Sequence, residues 1–204
     1  MTFAPNPLTP TPGFLGLARS LFAPSATLCL TKLADADLRA VRLLSAARRS
    51  SVSRFNAIAI SKLGNGWIYP LIAAVVFFAW GWDDGKRIVL LAAVNAGLMH
   101  ILYPLIKKRF KRLRPFKVDP RVPSLLKTLD EHSFPSGHAM TLTGVLAPVV
   151  LLWPAAIYTA LLMGCCMAWS RIATGHHYPS DVAAGVALGL GVGYPLSASL
   201  AAYF

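Results

Sequence analysis

Long apolar runs, which begin near residue 66, constrain this chain more than any other feature. Five runs, at about 67–82, 88–106, 137–153, 154–171 and 180–203, are each near the roughly 17–25 residues that a helix needs to cross a bilayer. Hydrophobic residues make up 55% of the chain and charged residues only 14%, whereas soluble globular chains carry about 25% charged residues. The sequence therefore predicts an all-α polytopic membrane protein, a bundle of about five transmembrane helices. It argues against a cytosolic enzyme, a disordered tail and a secreted disulfide scaffold.

Turn and packing signals shape these runs. Residues 83–85, Asp-Asp-Gly, predict a tight turn between the first two runs. In the last run Gly185, Gly189 and Gly193 recur every four residues, which predicts a smooth stripe for close helix packing. Asn95 lies inside the second run, where a hydrogen bond between helices is its favoured role.

The N-terminal part divides into a lead and a basic helical segment. Residues 1–32 contain several prolines and are expected to form a flexible lead. Residues 33–66 mix Leu and Ala with Arg, and Leu33 and Leu43 share one face of a helical wheel. This pattern predicts an N-terminal interfacial helix that lies on the membrane surface, and a merely solvated basic helix is the alternative. Residues 67–204 then form the transmembrane domain.

The charge of the chain is strongly positive and unevenly placed. The net charge is +12, and the polar segment 107–136 between the second and third runs is rich in Lys and Arg. Because the basic residues flank apolar runs, anionic lipid or phosphate is a better partner than nucleic acid. A basic loop that only fixes the membrane topology is the alternative at this stage.

Three short motifs favour a functional interpretation. They are, in chain order, Lys107-(six residues)-Arg114-Pro115, Pro135-Ser136-Gly137-His138, and Ser170-Arg171-(five residues)-His177-(three residues)-Asp181. Each motif is weak alone. Their order at three membrane boundaries is poorly explained by coincidence.

The motifs meet at one membrane face if the runs alternate in direction. Three cations, Lys107, Arg114 and Arg171, then converge on His138 and His177. Such a cluster matches a phosphate group, whose oxygens Arg can grip in bidentate fashion.

The remaining motif residues extend this chemistry. Ser136 and Gly137 precede a helix, where free N–H groups and the helix dipole favour an anion. His177 lies four residues before Asp181, so we expect the carboxylate to reach one ring nitrogen, fix the tautomer and leave the other nitrogen as a nucleophile. His138 is then free to act as the acid.

This three-part pattern resembles the signature of the type 2 phosphatidic acid phosphatase superfamily. Its members include undecaprenyl-diphosphate phosphatases, phosphatidylglycerophosphate phosphatases, lipid A phosphatases and vanadium haloperoxidases. The motifs cover roughly residues 107–181, and the apolar core 67–203 fits the helical bundle of the family. The spacing of the third motif selects His177 rather than the adjacent His176.

The resemblance implies a role for each motif residue. The phosphate would be held by Lys107, Arg114, Arg171, Ser136 and Gly137. His177 would attack phosphorus and form a phosphohistidine, His138 would protonate the leaving oxygen, and Asp181 would orient His177. Cationic side chains would supply the charge stabilisation that a metal otherwise gives, so neither metal nor cofactor is expected. The implied function is a membrane-embedded phosphohydrolase that acts on a lipid phosphate or an isoprenoid diphosphate.

Two other functions remain as alternatives. A vanadate-dependent haloperoxidase would bind vanadate with the same residues that would hold phosphate, although the apolar runs argue against this function. A non-catalytic protein that binds anionic lipid would need the cations but not the pair formed by His177 and Asp181. The expected partners are the lipid substrate and membrane lipids, with no nucleic acid and no obligatory protein partner.

The distribution of charge also predicts an orientation. All Lys and Arg residues except Lys86 and Arg87 fall on the side that carries the motifs. The positive-inside rule therefore favours the cytoplasmic face of a bacterial plasma (inner) membrane for the site.

Overall fold

The fold is all-α. The computed structural model describes residues 24–46, 50–128 and 130–203. The helices are α1 (Pro24–Ala46), α2 (Ser51–Lys62), α3 (Ile68–Phe110), α4 (Pro115–Val118), α5 (Gly137–Leu152), α6 (Ile157–Ala173) and α7 (Pro179–Leu200). A π-helical turn, Leu63–Trp67, joins α2 to α3, and a 3₁₀ turn, Pro154–Ala156, precedes α6. The described residues contain no β-strand, only an isolated bridge between Leu113 and His132.

Helix α3 reverses direction at Gly81. This residue has φ 70° and ψ −169° inside the helix, a conformation that is open to glycine and strained for other residues. A Cβ at Gly85 would lie 3.3 Å from Cα of Phe77, so the two parts of α3 fold back on each other. The turn predicted at 83–85 therefore lies earlier: Asp83 instead begins the returning part, where its carboxylate pairs with Lys86 at 2.7 Å and suits a helix N-terminus.

The helices consequently alternate in direction between two ends of the bundle. One end carries the turn at Gly81 and an apolar cluster in which Val76 and Ile88 pack with Val149. The other end carries the end of α3, the start of α5, the end of α6 and the start of α7. This alternation brings the three sequence motifs to the same end.

Small residues set how closely α5 and α7 approach. A Cβ at Gly185 would lie 2.6 Å from the carbonyl oxygen of Ser136, and a Cβ at Gly189 would lie 2.5 Å from that of Met140. The predicted glycine stripe therefore does pack against a helix. Asn95 of α3 joins this contact, because its amide nitrogen donates to the carbonyl oxygens of Gly144 and Gly193 and to the Ser197 hydroxyl.

Helix α1 docks on the bundle through buried ion pairs. Asp37 is 4% exposed and pairs with Arg112 at 2.8 Å, and Arg42 pairs with Asp119. Leu33 and Leu43, which share the predicted apolar face, are exposed.

The flexible lead predicted for 1–32 lies outside the described residues up to position 23, and residues 24–32 form the start of α1. The segment predicted as interfacial, 33–66, contains most of α1 and all of α2. Residues 47–49, between these helices, are not among the described residues.

Three described stretches are long and apolar enough to cross a membrane. They are Ser51–Phe110, which contains the reversal, Pro154–Ala173 and Pro179–Leu200. Gly137–Leu152 is apolar but shorter. Large apolar side chains such as Phe78 and Leu162 lie exposed on the outside of these helices, as expected where lipid is the solvent.

Candidate active site

The sequence motifs surround one cavity of about 650 Å³. Its lining includes Lys107, Arg114, Gly137, His138, Arg171 and His177. Ser136 and Asp181 are fully buried and lie outside this lining. Residues of all three motifs, which are remote in sequence, therefore lie around one cavity, as expected if successive helices alternate in direction.

The three cations of the cavity are buried. Lys107, Arg114 and Arg171 are 7%, 3% and 5% exposed. Each comes from a helix end: the last turn of α3, the residue before α4 and the last turn of α6. Buried cations interact strongly with an anion because little water screens them, so this cluster is suited to a phosphate group.

Asp130, which the motif analysis did not select, occupies part of this cluster. Its carboxylate pairs with Nζ of Lys107 at 2.8 Å and with Nη2 of Arg114 at 2.9 Å. Burial would raise the pKa of Asp130, but the hydrogen bond and charge of Lys107, together with Arg114, lower this pKa below its usual value. Asp130 is therefore an anion that already balances two of the three cations.

Arg171 keeps one unpaired donor. Its Nη1 bonds to the hydroxyl of Ser61, and its Nη2 donates to Nδ1 of His176 at 3.0 Å. Its Nε and the hydroxyl of Ser136 are buried without a hydrogen-bond partner among the described residues. Buried polar groups are normally paired, so Nε of Arg171, a residue that lines the cavity, is available to an oxygen of a bound anion.

His177 is held with one ring nitrogen towards the cations. Its Nδ1 lies 2.7 Å from the carbonyl oxygen of Ser133, which only accepts, so Nδ1 carries the proton. Nε2 lies 3.4 Å from Nη1 of Arg114. Burial, followed by the charges of Arg171 and Arg114, lowers the pKa of His177 well below its usual value. The imidazole is therefore neutral near pH 7, with the lone pair of Nε2 on the side of the cluster.

Asp181 does not make the hydrogen bond that the spacing led us to expect. Its Oδ2 lies 3.7 Å from Nδ1 of His177, and that nitrogen bonds to Ser133 instead. The Asp181 carboxylate accepts from the backbone N–H of Tyr178 at 2.9 Å and from Arg112 at 2.7 Å. Since Tyr178 precedes α7, the carboxylate satisfies a free N–H at a helix start. In this geometry Asp181 fixes the backbone next to His177 rather than its ring.

Arg112 links this site to the N-terminal helix. Its guanidinium contacts Asp181 and Asp37 and lies 3.9 Å from the centre of the Tyr178 ring. Burial would lower the pKa of Arg112, but Asp181 and Asp37 raise it above its usual value. Asp37 also accepts from the backbone N–H of Ser180 at 3.0 Å. Helix α1 thus supports the start of α7 and the loop that holds His177.

His138 and Gly137 begin α5. Nε2 of His138 lies 2.7 Å from Oδ1 of Asn65, a residue of the π-helical turn. A Cβ at Gly137 would lie 3.3 Å from the Tyr103 ring, so a larger side chain would crowd this part of the cavity. The N–H of Ser136 is already bonded to the carbonyl oxygen of Asp181 at 3.0 Å.

His176 is buried in the same cluster rather than exposed. It is 2% exposed, accepts from Arg171 at Nδ1 and lies 3.1 Å from the carbonyl oxygen of Leu126 through Nε2. Burial, with the charges of Arg171 and Arg114, lowers the pKa of His176 to about 3. It is therefore a neutral acceptor that fixes the position of Arg171.

Several residues that the motifs do not select contact the motif residues, directly or through one another, and hold them in place. They are Asp37, Ser61, Asn65, Arg112, Asp130, Ser133 and His176. One local signal was present: Asn65 lies between Gly64 and Gly66, a turn pattern next to the first apolar run. The ionic contacts join residues up to 75 positions apart and have no local pattern.

The chain is similar to several known phosphatases. The sequence is 39% identical over 139 residues to a decaprenylphosphoryl-5-phosphoribose phosphatase of Mycobacterium tuberculosis, covering 63% of this chain and 68% of the relative. It is 31% identical over 134 residues to an undecaprenyl-diphosphatase of Bacillus subtilis, covering 62% and 64%. The crystal structure of a transmembrane phosphatidylglycerolphosphate phosphatase from Bacillus subtilis, described as of the PAP2 type, matches with a TM-score of 0.64 at 23% identity. That match covers 94% of this chain and 93% of the other and shows a shared fold.

A family model also matches the chain. The model of the PAP2 superfamily matches residues 85–202, the part that contains all three motifs. This match covers more than half of the chain and shows that the chain belongs to the PAP2 superfamily.

Proposed function

We propose that this chain is an integral membrane phosphohydrolase that removes phosphate from a lipid phosphate or isoprenoid diphosphate through a phosphohistidine. The observation that carries the proposal is the state of His177: Nδ1 is bonded to a carbonyl oxygen and Nε2 lies beside Arg114. A neutral imidazole in this tautomer has its lone pair where the cations would place a phosphorus atom.

The proposed reaction has two steps. In the first, Nε2 of His177 forms a bond to phosphorus while the bond to the leaving oxygen breaks and His138 protonates that oxygen. In the second, a water oxygen attacks phosphorus, the P–N bond breaks and His138 takes the proton of the water. Lys107, Arg114 and Arg171 stabilise the negative charge in both transition states.

This use of cations leads us to propose that the reaction needs no metal ion. Guanidinium and ammonium groups already surround the site where charge develops, which is the contribution that a metal makes in other phosphoryl-transfer enzymes. A chelator should leave the rate unchanged. Vanadate, which copies pentavalent phosphorus, should compete with the substrate.

The experiment is phosphate release by the purified full chain in lipid vesicles. The panel contains decaprenylphosphoryl-5-phosphoribose, undecaprenyl diphosphate, phosphatidic acid, phosphatidylglycerophosphate and phosphorylated lipid A. Lys107→Met should remove most activity, whereas Lys108→Met changes an adjacent exposed lysine and should remove little. Folded protein that binds these lipids but releases phosphate from none would identify a lipid-binding protein instead. Oxidation of halide by the vanadate-loaded protein with peroxide would identify the haloperoxidase alternative.

We also propose that the site faces the cytoplasm from a bacterial inner membrane. The site and the basic helices α1 and α2 lie at one end of the bundle, and Lys86 and Arg87 lie near the turn at the other end. A membrane-impermeant maleimide tests this with a cysteine at position 86 in a variant whose native cysteines are replaced by serine. Labelling of Lys86→Cys in intact cells supports the proposal, and labelling only after the cells are opened contradicts it.

A further inference from the structure

The segment Ser51–Trp67 contacts the site although it lies outside the part of the chain that the family model matches. Ala57 accepts a hydrogen bond from the hydroxyl of Ser170 at 2.7 Å. Four residues on, the hydroxyl of Ser61 bonds to Arg171. After one further turn, Asn65 meets His138 at 2.7 Å. One short segment therefore contacts the C-terminal end of α6 and the N-terminal end of α5.

The backbone at Asn65 is shaped for this contact. A Cβ at Gly64 would lie 2.8 Å from Cδ2 of His138, so only glycine lets the turn approach the imidazole this closely. Gly66 has φ 134°, a region that side chains other than hydrogen rarely allow. The pattern Gly64-Asn65-Gly66 thus places one polar side chain against His138 and needs a glycine on each side to do so.

The hydrogen bond assigns the two nitrogens of His138. Oδ1 of an amide accepts and does not donate, so Nε2 of His138 carries a proton and donates a hydrogen bond to Oδ1 of Asn65. Nδ1 is then the nitrogen that can exchange a proton with a leaving group. The arrangement parallels that of His177, in which a carbonyl oxygen holds one nitrogen and leaves the other for the reaction. An amide does not titrate in the working range, so this acceptor is present whether His138 is neutral or protonated.

We propose that Asn65 is a positioning residue for the general acid: it holds the His138 ring by Nε2, so that Nδ1 delivers the proton to the leaving oxygen. This inference rests on the proposed function, since it concerns the acid of that reaction. It also assigns part of the active site to the segment that precedes the family match.

The test compares Asn65→Leu with Asn56→Leu in the full chain. Asn56 is an exposed residue of α2, so its substitution is a matched change in the same segment. General acid catalysis contributes about 10²–10⁴-fold, and loss of an orienting partner should remove part of this. We expect Asn65→Leu to lower kcat on a lipid monophosphate by about tenfold to a hundredfold with KM changed less than about threefold. The loss on a diphosphate should be smaller, because its leaving phosphate needs little protonation.

A conservative variant separates positioning from folding. Asn65→Asp keeps an oxygen that accepts from Nε2, and should retain most activity on both substrates. Its negative charge favours protonated His138, so the limb of the rate profile on which His138 loses its proton should move to higher pH. The other charged or titratable side chains around the same cavity are Lys62, Tyr69, His100, Tyr103, Lys107, Arg114, Lys127, Asp130, Arg171, His176 and His177. They are unchanged in both Asn65 variants, so a difference between these two variants reports on position 65.

Several results would overturn the inference. The inference is wrong if Asn65→Leu has the same kcat as Asn56→Leu. It is also wrong if Asn65→Leu loses activity equally on the monophosphate and the diphosphate. Loss of activity in Asn65→Asp equal to that in Asn65→Leu would also count against it. The proposed function has its own test, which is phosphate release by the unmodified chain. Nitrogen NMR of labelled histidine needs no turnover: the proton of His138 should be on Nε2 in the unmodified chain, and a proton on Nδ1 alone would refute the contact.

Discussion

Two regions build the candidate site in different ways. The motif region, residues 107–181, supplies the cations and histidines that would touch phosphate. The N-terminal region, residues 24–67, supplies Asp37, Ser61 and Asn65. Each of these side chains contacts a residue of the motif region: Arg112, Arg171 and His138 respectively. The motif region contains three short sequence motifs. In the N-terminal region the contacts come from isolated polar side chains that belong to no motif. The comparison indicates that the groups for the reaction come from the motif region, whereas the groups that hold them come from both regions.

The largest expected effect lies in the motif region. His177→Ala removes the nitrogen that would bond to phosphorus, and should abolish phosphate release while the protein remains folded. His176→Ala removes one partner of Arg171 and should cost about tenfold to a hundredfold, chiefly in KM, since one hydrogen bond to a charged group is worth about 1.5–3 kcal/mol. Steady-state rates on one lipid phosphate compare the two variants. Equal losses, or a greater loss in His176→Ala, would show that the wrong histidine has been assigned.

A change in the N-terminal region should affect stability more than chemistry. Asp37→Ala leaves Arg112 without one of its two buried carboxylates, and breaking a buried ion pair costs about 3–5 kcal/mol. Thermal unfolding in detergent should show a clear loss of stability. Asp35→Ala, a change on the same helix away from Arg112, should show little. If Asp37→Ala unfolds like the unmodified chain, α1 does not support the site as the contacts suggest.

Acid should destabilise the protein through the buried histidines of the motif region. The folded-state pKa values of His176 and His177 are lowered, so below about pH 6.5 the unfolded chain binds more protons than the folded chain. Their contribution to stability is therefore present above that pH and is lost as the pH falls. The loss should be about 2 kcal/mol for His176 at pH 5, and the loss from His177 should have the same sign. Unfolding followed from pH 8 to pH 5 tests this, and a stability that is constant or rises towards pH 5 would contradict it.

The smallest expected effect concerns Asp130. Its carboxylate neutralises Lys107 and Arg114, so it opposes a bound phosphate. Asp130→Asn should tighten inhibition by inorganic phosphate by about tenfold, equivalent to about 1.4 kcal/mol. Glu131→Gln changes an exposed carboxylate that pairs with Lys117 and serves as the control. Weaker inhibition in Asp130→Asn would show that Asp130 supports the phosphate rather than competes with it.

The sequence predicts the motif region well because its signals are local. The motifs fall at the ends of apolar runs, and alternation of helix direction then brings Lys107, His138 and Arg171 together. The sequence favours a turn at 83–85 because Asp and Gly are typical of turns. In the structure the chain reverses at Gly81, and the acidic residues begin the returning part of α3. The partner of His177 was predicted to be Asp181 from a spacing of four residues, but a backbone carbonyl, which has no sequence signature, lies closer.

The contacts of the N-terminal region could not be predicted for a related reason. Asp37 meets Arg112 only because α1 packs across the bundle, a tertiary contact between residues that are remote in sequence. Asn65 meets His138 because a kinked turn with two glycines allows a close approach. Hydropathy and charge identify neither contact. They predict an interfacial helix from the apolar positions of α1, and the acidic side chain of Asp37 among them does not indicate a buried partner.

Trapping of the phosphoenzyme tests the central claim most directly. The unmodified chain and the His177→Ala and His138→Ala variants would be mixed with a lipid phosphate carrying a radioactive phosphoryl group and quenched rapidly in alkali. We predict a protein-bound label that is stable in alkali and released by acid, as a phosphohistidine is, and that maps to His177. It should be absent in His177→Ala. Turnover of the substrate by the unmodified chain with no such label, or a label that persists in His177→Ala, would contradict the account.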